Sequence, residues 1–246
     1  MSTAKAGKTI TVPPAMPTPA AGPRARTYRL LIEHAMQLVR DGRVATVAEV
    51  AGAAGVARAT AYRYFPTRGQ LIAALVQESL GPVRSFESDL TDGRERIRDV
   101  FDQTFPRFKE FEPQLRAALQ VALEHWALEK SGQLDEAPYR RGHRMQILAR
   151  AAAPLRKVLG SRSFDRLLRA LSVIYGIEAY VVLKDIWNAD DREVEQTARW
   201  MVDALVDAAL REAQDRSAAK PVVASRRVKA RDGTAKVSAQ GHPSSR

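Results

Sequence analysis

The sequence predicts an all-α protein, and three observations carry that prediction. Residues 46–65 read as a short helix, a glycine turn and a second short helix. From Gly93 to about Arg211, apolar residues recur at helical spacing. No alternating strand pattern and no Asn-Gly hairpin signal appears anywhere in that region. The expected architecture is a small N-terminal helical unit at 24–80 and a larger helical domain at 81–213, flanked by disordered ends.

Residues 1–23 are rich in Ala, Pro, Thr and Lys and are expected to be a disordered arm. Thr27 is the expected start of the first helix, whose stripe is Leu30, Leu31, Ala35, Leu38 and Val39, and Asp41-Gly42 its end. Arg24, Arg26 and Arg29 lead into it, a pattern that surface solvation explains as well as a flanking phosphate contact does.

Thr46-Val-Ala-Glu49 fits the capping box, in which the threonine hydroxyl caps the N–H three residues on and the glutamate reaches back. Val47, Val50, Ala51 and Ala54 give this helix an apolar face, and Gly55 suits the left-handed residue that ends it. In the next helix, Ala57 to Tyr64, Ala61 and Phe65 lie four apart and face the core. That rotation turns Arg58, Ala59, Thr60, Tyr62, Arg63 and Tyr64 outward or to the edges. Arginine can take a guanine edge or a phosphate, hydroxyls suit phosphate oxygens, and a small Ala59 permits close approach to a groove. A solvated helix with a basic face has the same composition, so spacing alone leaves both readings open.

Together, Thr46-Val-Ala-Glu-Val-Ala, Ala54-Gly-Val-Ala-Arg-Ala-Thr-Ala-Tyr-Arg-Tyr-Phe65 and Pro66-Thr-Arg-Gly-Gln-Leu71 resemble the DNA-binding domain of the tetracycline-repressor (TetR) family. The likeness is close over about the first third of the ordered chain and general beyond it. Three positions depart from the family pattern. Ala61 stands for a larger aliphatic, Arg68 for a lysine, and Gly69 for an acidic residue, which weakens the start of the following helix. The resemblance implies that Thr46, Arg58, Ala59, Thr60, Tyr62, Arg63, Tyr64 and Arg68 meet double-stranded DNA.

Thr67 is a plausible cap for a fourth helix with the stripe Leu71, Ile72, Leu75 and Val76, expected to stop at Gly81-Pro82. Beyond it, helices are expected near 94–110, 112–130, 138–159, 163–188 and 192–213, with Pro106, Pro113, Pro138 and Pro154 at starts or kinks. Phe101, Phe105 and Phe108 line one helix and Leu115, Leu119, Leu123 and Trp126 the next; such stripes are ordinarily core. The family resemblance implies an effector cavity between them, with Phe101, Phe105, Leu119, Leu123, Trp126, Met145, Leu148, Tyr175 and Glu178 as its lining. Glu178 is an acid amid apolar neighbours, to be explained by a cationic or hydroxyl-bearing effector or by pairing with an arginine such as Arg144.

Residues 164–187 and 194–210 are apolar on more than one face, so each helix needs cover on two sides. A four-helix seam with a symmetry-related copy supplies it, and the resemblance places the homodimer interface there too. Apolar periodicity fails from Gln214 to Arg246, which reads as a basic disordered tail.

The net charge of +11 is unevenly spread: +4 over 24–80, −1 over 81–213 and +6 over 214–246. A basic reading unit and tail around a neutral middle favour an anionic partner such as DNA. No run approaches the about 20 apolar residues of a membrane span, and the N-terminus lacks a signal-peptide core, so a cytoplasmic location is expected without membrane association. The chain has no cysteine, which removes thiolate catalysis, disulfides and cysteine-bound metals. His34, His125, His143 and His242 have no metal-site spacing, and no nucleophile elbow, P-loop or dinucleotide fingerprint occurs. The expectation is therefore a regulator and not an enzyme, with no cofactor or metal. The resemblance makes it a repressor released from a palindromic operator by an unidentified small molecule. A helical interaction or small-molecule-binding protein without specific DNA binding is the alternative.

Overall fold

The computed structural model describes residues 19, 21–139 and 142–218. Among these there is no strand, and no helix is long and apolar enough to cross a membrane. The expectations for residues 1–18 and for most of the basic tail lie outside the described residues.

Helix α1 (Gly22–Arg40) begins before the expected Thr27 because Pro23 occupies its first turn, where a missing N–H costs nothing. Thr27 instead donates its hydroxyl back to the Pro23 carbonyl, 3.2 Å away. Helix α2 (Val47–Ala53) opens on the full capping box: the Glu49 N–H donates to Thr46 Oγ1 at 3.1 Å, and the Thr46 N–H donates to Glu49 Oε2 at 3.1 Å. Gly55 holds φ +63° between α2 and α3 (Arg58–Tyr64).

Helix α4 (Arg68–Arg84) is capped by Thr67, whose hydroxyl accepts the Gln70 N–H at 3.2 Å. It does not stop at Gly81-Pro82. Pro82 has no N–H, so the carbonyl of Glu78 loses its helical partner; the Arg107 guanidinium donates to Glu78 O at 3.4 Å and to the neighbouring Ser79 O. An arginine from another helix thus lets α4 run through its proline.

Asp92 caps α5 (Gly93–Glu110) by accepting the N–H groups of Arg94 and Glu95 at 2.8 and 3.0 Å. Helix α6 (Glu112–Ser131) ends on Gly132 at φ +70°. The single helix expected over 138–159 is instead α7 (His143–Ala151) and a 3-10 turn (Ala153–Leu155) around Pro154. The carbonyl that Pro154 leaves unpartnered, Arg150 O, accepts from Arg96 at 3.3 Å, a second proline interruption covered by an arginine. Helix α8 (Arg156–Ile174) follows at once, kinked at Gly160. The long helix expected over 163–188 breaks at Tyr175-Gly176; α9 (Ile177–Val181) then runs into a π-helical turn, Val182–Ile186. Helix α10 (Asp191–Ala218) extends past the expected 213.

Two hydrophobic clusters organise these helices. The first joins α1, α2, α3 and the first half of α4 around Leu31, Ala61, Phe65, Leu71 and Ile72, and is completed by Ala118 and Val121 of α6. The second is built by α5, α7, α8, α9 and α10 around Phe101, Leu148, Phe164, Leu171 and Val206. Val76 of α4 packs against both, and α6 contributes to both, with Leu115 in the second and Ala118 and Val121 in the first.

Along the α5–α10 seam, three ion pairs form an antiparallel ladder: Arg94 with Asp207, Arg98 with Asp203 at 2.7 Å, and Asp102 with Arg199 at 2.9 Å. The π-helical turn is tied to α6 and α10. Arg116 makes a bidentate pair with Asp185 at 2.7 Å, and Lys184 meets both Glu112 and Asp191 at 2.7 Å.

Candidate nucleic-acid interface and internal cavity

The exposed face of α3 follows from what its other face buries. Ala61 and Phe65 are sealed in the core, and the Tyr28 ring stacks 5.4 Å from Phe65. Arg58, Ala59, Tyr62 and Arg63 then point to solvent with Thr60 at their edge. Neither Arg58 nor Arg63 has an acidic partner among the described residues, so both guanidinia are available. A small face with two unpaired arginines and two hydroxyls, on a helix only seven residues long, suits a groove of DNA.

Three expected contact residues are engaged elsewhere. Tyr64 lies against α1, its hydroxyl donating to Arg24 O at 3.2 Å and its ring 6.4 Å from Tyr28. Thr46 spends its single hydroxyl proton on Glu49 Oε2 at 2.8 Å, which also holds the Glu49 carboxyl below its ordinary pKa. Arg68 turns inward to α6, pairing with Glu124 at 2.6 Å. In each case a neighbour outside the local motif, or the motif's own cap, takes the group that the spacing leaves open.

Gly69 has a packing role that its helix position conceals. A Cβ there would lie 3.0 Å from His125 Cε1 and 3.1 Å from Glu136 Oε2. His125 is buried; its Nδ1 accepts the Tyr139 N–H at 3.1 Å and its Nε2 lies 3.4 Å from Glu136 Oε1. This is a satisfied core histidine at the wall of a cavity.

That cavity, of about 280 Å³, is lined chiefly by α4, α6, α7, the segment 136–139 and the Tyr175–Ile177 break. Of the expected lining only Tyr175 borders it. Phe101 and Phe105 are consumed by aromatic packing, Phe101 lying 5.1 Å from Tyr175 and Phe105 5.8 Å from Phe101. Leu148 is fully buried in that core and Leu119 packs against it, while Leu123, Trp126 and Met145 are exposed. The walls come instead from Gln70, Ala73, Gln77 and Arg84 of α4, with His143, Arg144 and Ile147 of α7. Nothing in the local pattern marks the α4 residues, because they occupy the flank of that helix beside its core stripe.

Glu178 is held by Arg144 through both carboxylate oxygens, at 2.8 and 2.9 Å, and Arg144 also donates to Ser172 O at 3.0 Å. Pairing with Arg144 therefore accounts for Glu178. Gly176 makes room for the pair: a Cβ there would fall 2.4 Å from Glu178 Oε2 and 2.5 Å from Arg144 Nη1. The Tyr175 hydroxyl meets Thr104 Oγ1 at 2.7 Å, and since Thr104 donates to Val100 O at 2.6 Å, Tyr175 is the donor. Burial pushes the Tyr175 hydroxyl up to about 12.

An exposed basic helix-turn-helix followed by further packed helices defines the class: an all-helical protein with a helix-turn-helix near its N-terminus. Residues 29–75 match the sequence profile of the bacterial regulatory proteins of the tetR family. It is similar to the HTH-type transcriptional repressor LfrR of Mycolicibacterium smegmatis, 39% identical over 61 residues. That match spans 25% of this chain and 32% of the relative, so the likeness covers about a third of the relative's length. The fold is also that of a TetR transcriptional regulator from Rhodococcus sp. RHA1, at TM-score 0.51 and 20% identity, over 73% of this chain and 94% of that one.

Proposed function

We propose that the protein is a homodimeric transcriptional repressor that holds a palindromic DNA operator and releases it when a small molecule enters the α4–α6–α7 cavity. The observation that carries the DNA half is the pair of unpartnered guanidinia, Arg58 and Arg63, on the exposed face of α3. Two such helices related by a two-fold axis read half-sites about one helical turn or more apart. A second copy is favoured by apolar side chains that stand in solvent late in the chain, among them Val173 and Trp200, each 71% exposed. Tyr180 belongs to the subunit core instead and takes no part in such a seam.

Helix α4 supports the switch. It follows the reading helix directly and supplies one whole wall of the cavity, so a change in its tilt alters the spacing of two reading helices. Affinity selection of the full chain from a random duplex library, over a salt series, tests the proposal. A palindromic consensus bound by a dimer is expected. Binding that has no sequence preference and vanishes with salt would leave only a basic helical protein.

A further inference from the structure

Among the described residues, the acids beside the cavity are paired and one arginine is not. Glu136 takes the Thr67 hydroxyl and stands beside His125, while Arg144 is fully engaged by Glu178 and Ser172. Arg84, half-buried at the C-terminal end of α4, lines the cavity with no acidic partner among the described residues. Tyr139 and His143 share its surroundings: the Arg84 charge helps to lower the His143 pKa, after burial, and Arg84's own pKa is lowered by burial. Much of the remaining lining is apolar: Val76 and Leu80 of α4 itself, with Phe108, Leu115, Ile147 and Ile177 from other elements.

We infer that the cavity takes a small amphipathic carboxylate, its anionic head paired with the Arg84 guanidinium and its apolar body against the α4–α6–α7 walls. A half-buried arginine without a counter-charge among the described residues gains from an anion, and the fork of a guanidinium matches a carboxylate in geometry. A cation finds no free acid among the described lining residues: Glu136, the acid that borders the cavity, is held by Thr67 and His125. The volume of about 280 Å³ sits at the small end of ligand pockets, which limits the body to a short chain or a single ring. This inference deepens the proposed function, since it names the chemical class of the effector for the same cavity.

The test is calorimetric titration of the full-length protein with octanoate, octanol and octylamine, three probes of one length and three head charges. Octanoate is expected to bind tightest. Arg84→Gln should weaken octanoate by about tenfold or more, the scale of a charge-assisted hydrogen bond, and Arg84→Glu should shift preference to octylamine. Circular dichroism of both variants establishes that they fold. Octylamine binding as well as octanoate, no binding of any probe at millimolar concentration, or folded Arg84 variants that keep wild-type octanoate affinity would each overturn the inference. A separate gel-shift with octanoate present distinguishes it from the repressor reading. Acid binding that leaves DNA affinity unchanged keeps the carboxylate site and removes the release mechanism.

Discussion

Thr67, the first capping residue after the reading helix, donates its hydroxyl to Glu136, a residue 69 positions further along the chain. The same oxygen accepts the Gln70 N–H, so one side chain both starts α4 and fastens it to the segment after α6. Because His125 Nδ1 accepts the Tyr139 N–H, the neutral ring carries its proton on Nε2, facing Glu136. The start of α4 is therefore tied to a continuous polar chain at the cavity wall.

Thr67→Val should cost about 0.5–2 kcal/mol of stability through the lost cap alone, whereas Thr67→Ser should retain most of it. Urea denaturation of the two variants measures the difference. Equal midpoints for Val and Ser would remove the hydroxyl from both roles.

Gly93→Ala should destabilise by about 1–3 kcal/mol, the usual range for forcing extra volume into a packed core. A Cβ at Gly93 would meet Leu155 Cγ at 2.5 Å, where α5 starts against the 3-10 turn. The double variant Gly93→Ala with Leu155→Ala should recover part of the loss attributable to that clash. No recovery would place the strain elsewhere.

Alkaline pH should weaken the fold through Tyr175. Its hydroxyl titrates near 12 in the native state against 10.0 ordinarily, so the neutral form is favoured by folding. That contribution is complete below pH 10 and is lost as pH rises through 12, amounting to about 2–3 kcal/mol. Tyr175→Phe should flatten the stability profile over that window at the cost of the Thr104 hydrogen bond. The Tyr180 hydroxyl is buried with no hydrogen-bond partner among the described residues, so Tyr180→Phe should be neutral or stabilising at pH 7.

On the reading face, Arg63→Ala should cost about 1–3 kcal/mol of DNA affinity and relax preference at one position per half-site. Tyr62→Phe should weaken all sites alike without loss of stability, since Tyr62 is exposed. Tyr64→Phe should instead lower stability, because its hydroxyl pairs with α1. Affinity selection and thermal melts on the three variants separate these outcomes.

Where the information is local, the sequence is legible. The capping box at Thr46–Glu49, the positive φ at Gly55 and the burial of Ala61 depend only on near neighbours, and each is as the pattern predicts. Helix ends around prolines are misread because the rescue is remote. Arg107 and Arg96 come from a different helix to satisfy the carbonyls freed by Pro82 and Pro154. The cavity is misplaced for a related reason. Phe101, Phe105 and Tyr175 satisfy one another, leaving the hollow beside Arg84 and His143, where no periodic signal points.

The α5–α10 ladder acts as a vernier. Its rungs are exposed or half-exposed pairs, each worth about 1 kcal/mol or less, so its effect on total stability is small. Its effect on sliding is larger. Slipping α10 one turn in one direction would set Arg98 against Arg199 and Asp102 against Glu195; slipping it the other way would oppose Arg94 to Arg211 and Asp102 to Asp203. Either displacement converts two of the three attractions into repulsions. Only one alignment of the two helices keeps every rung attractive, so the pair is built to tilt or travel as a single rigid plank.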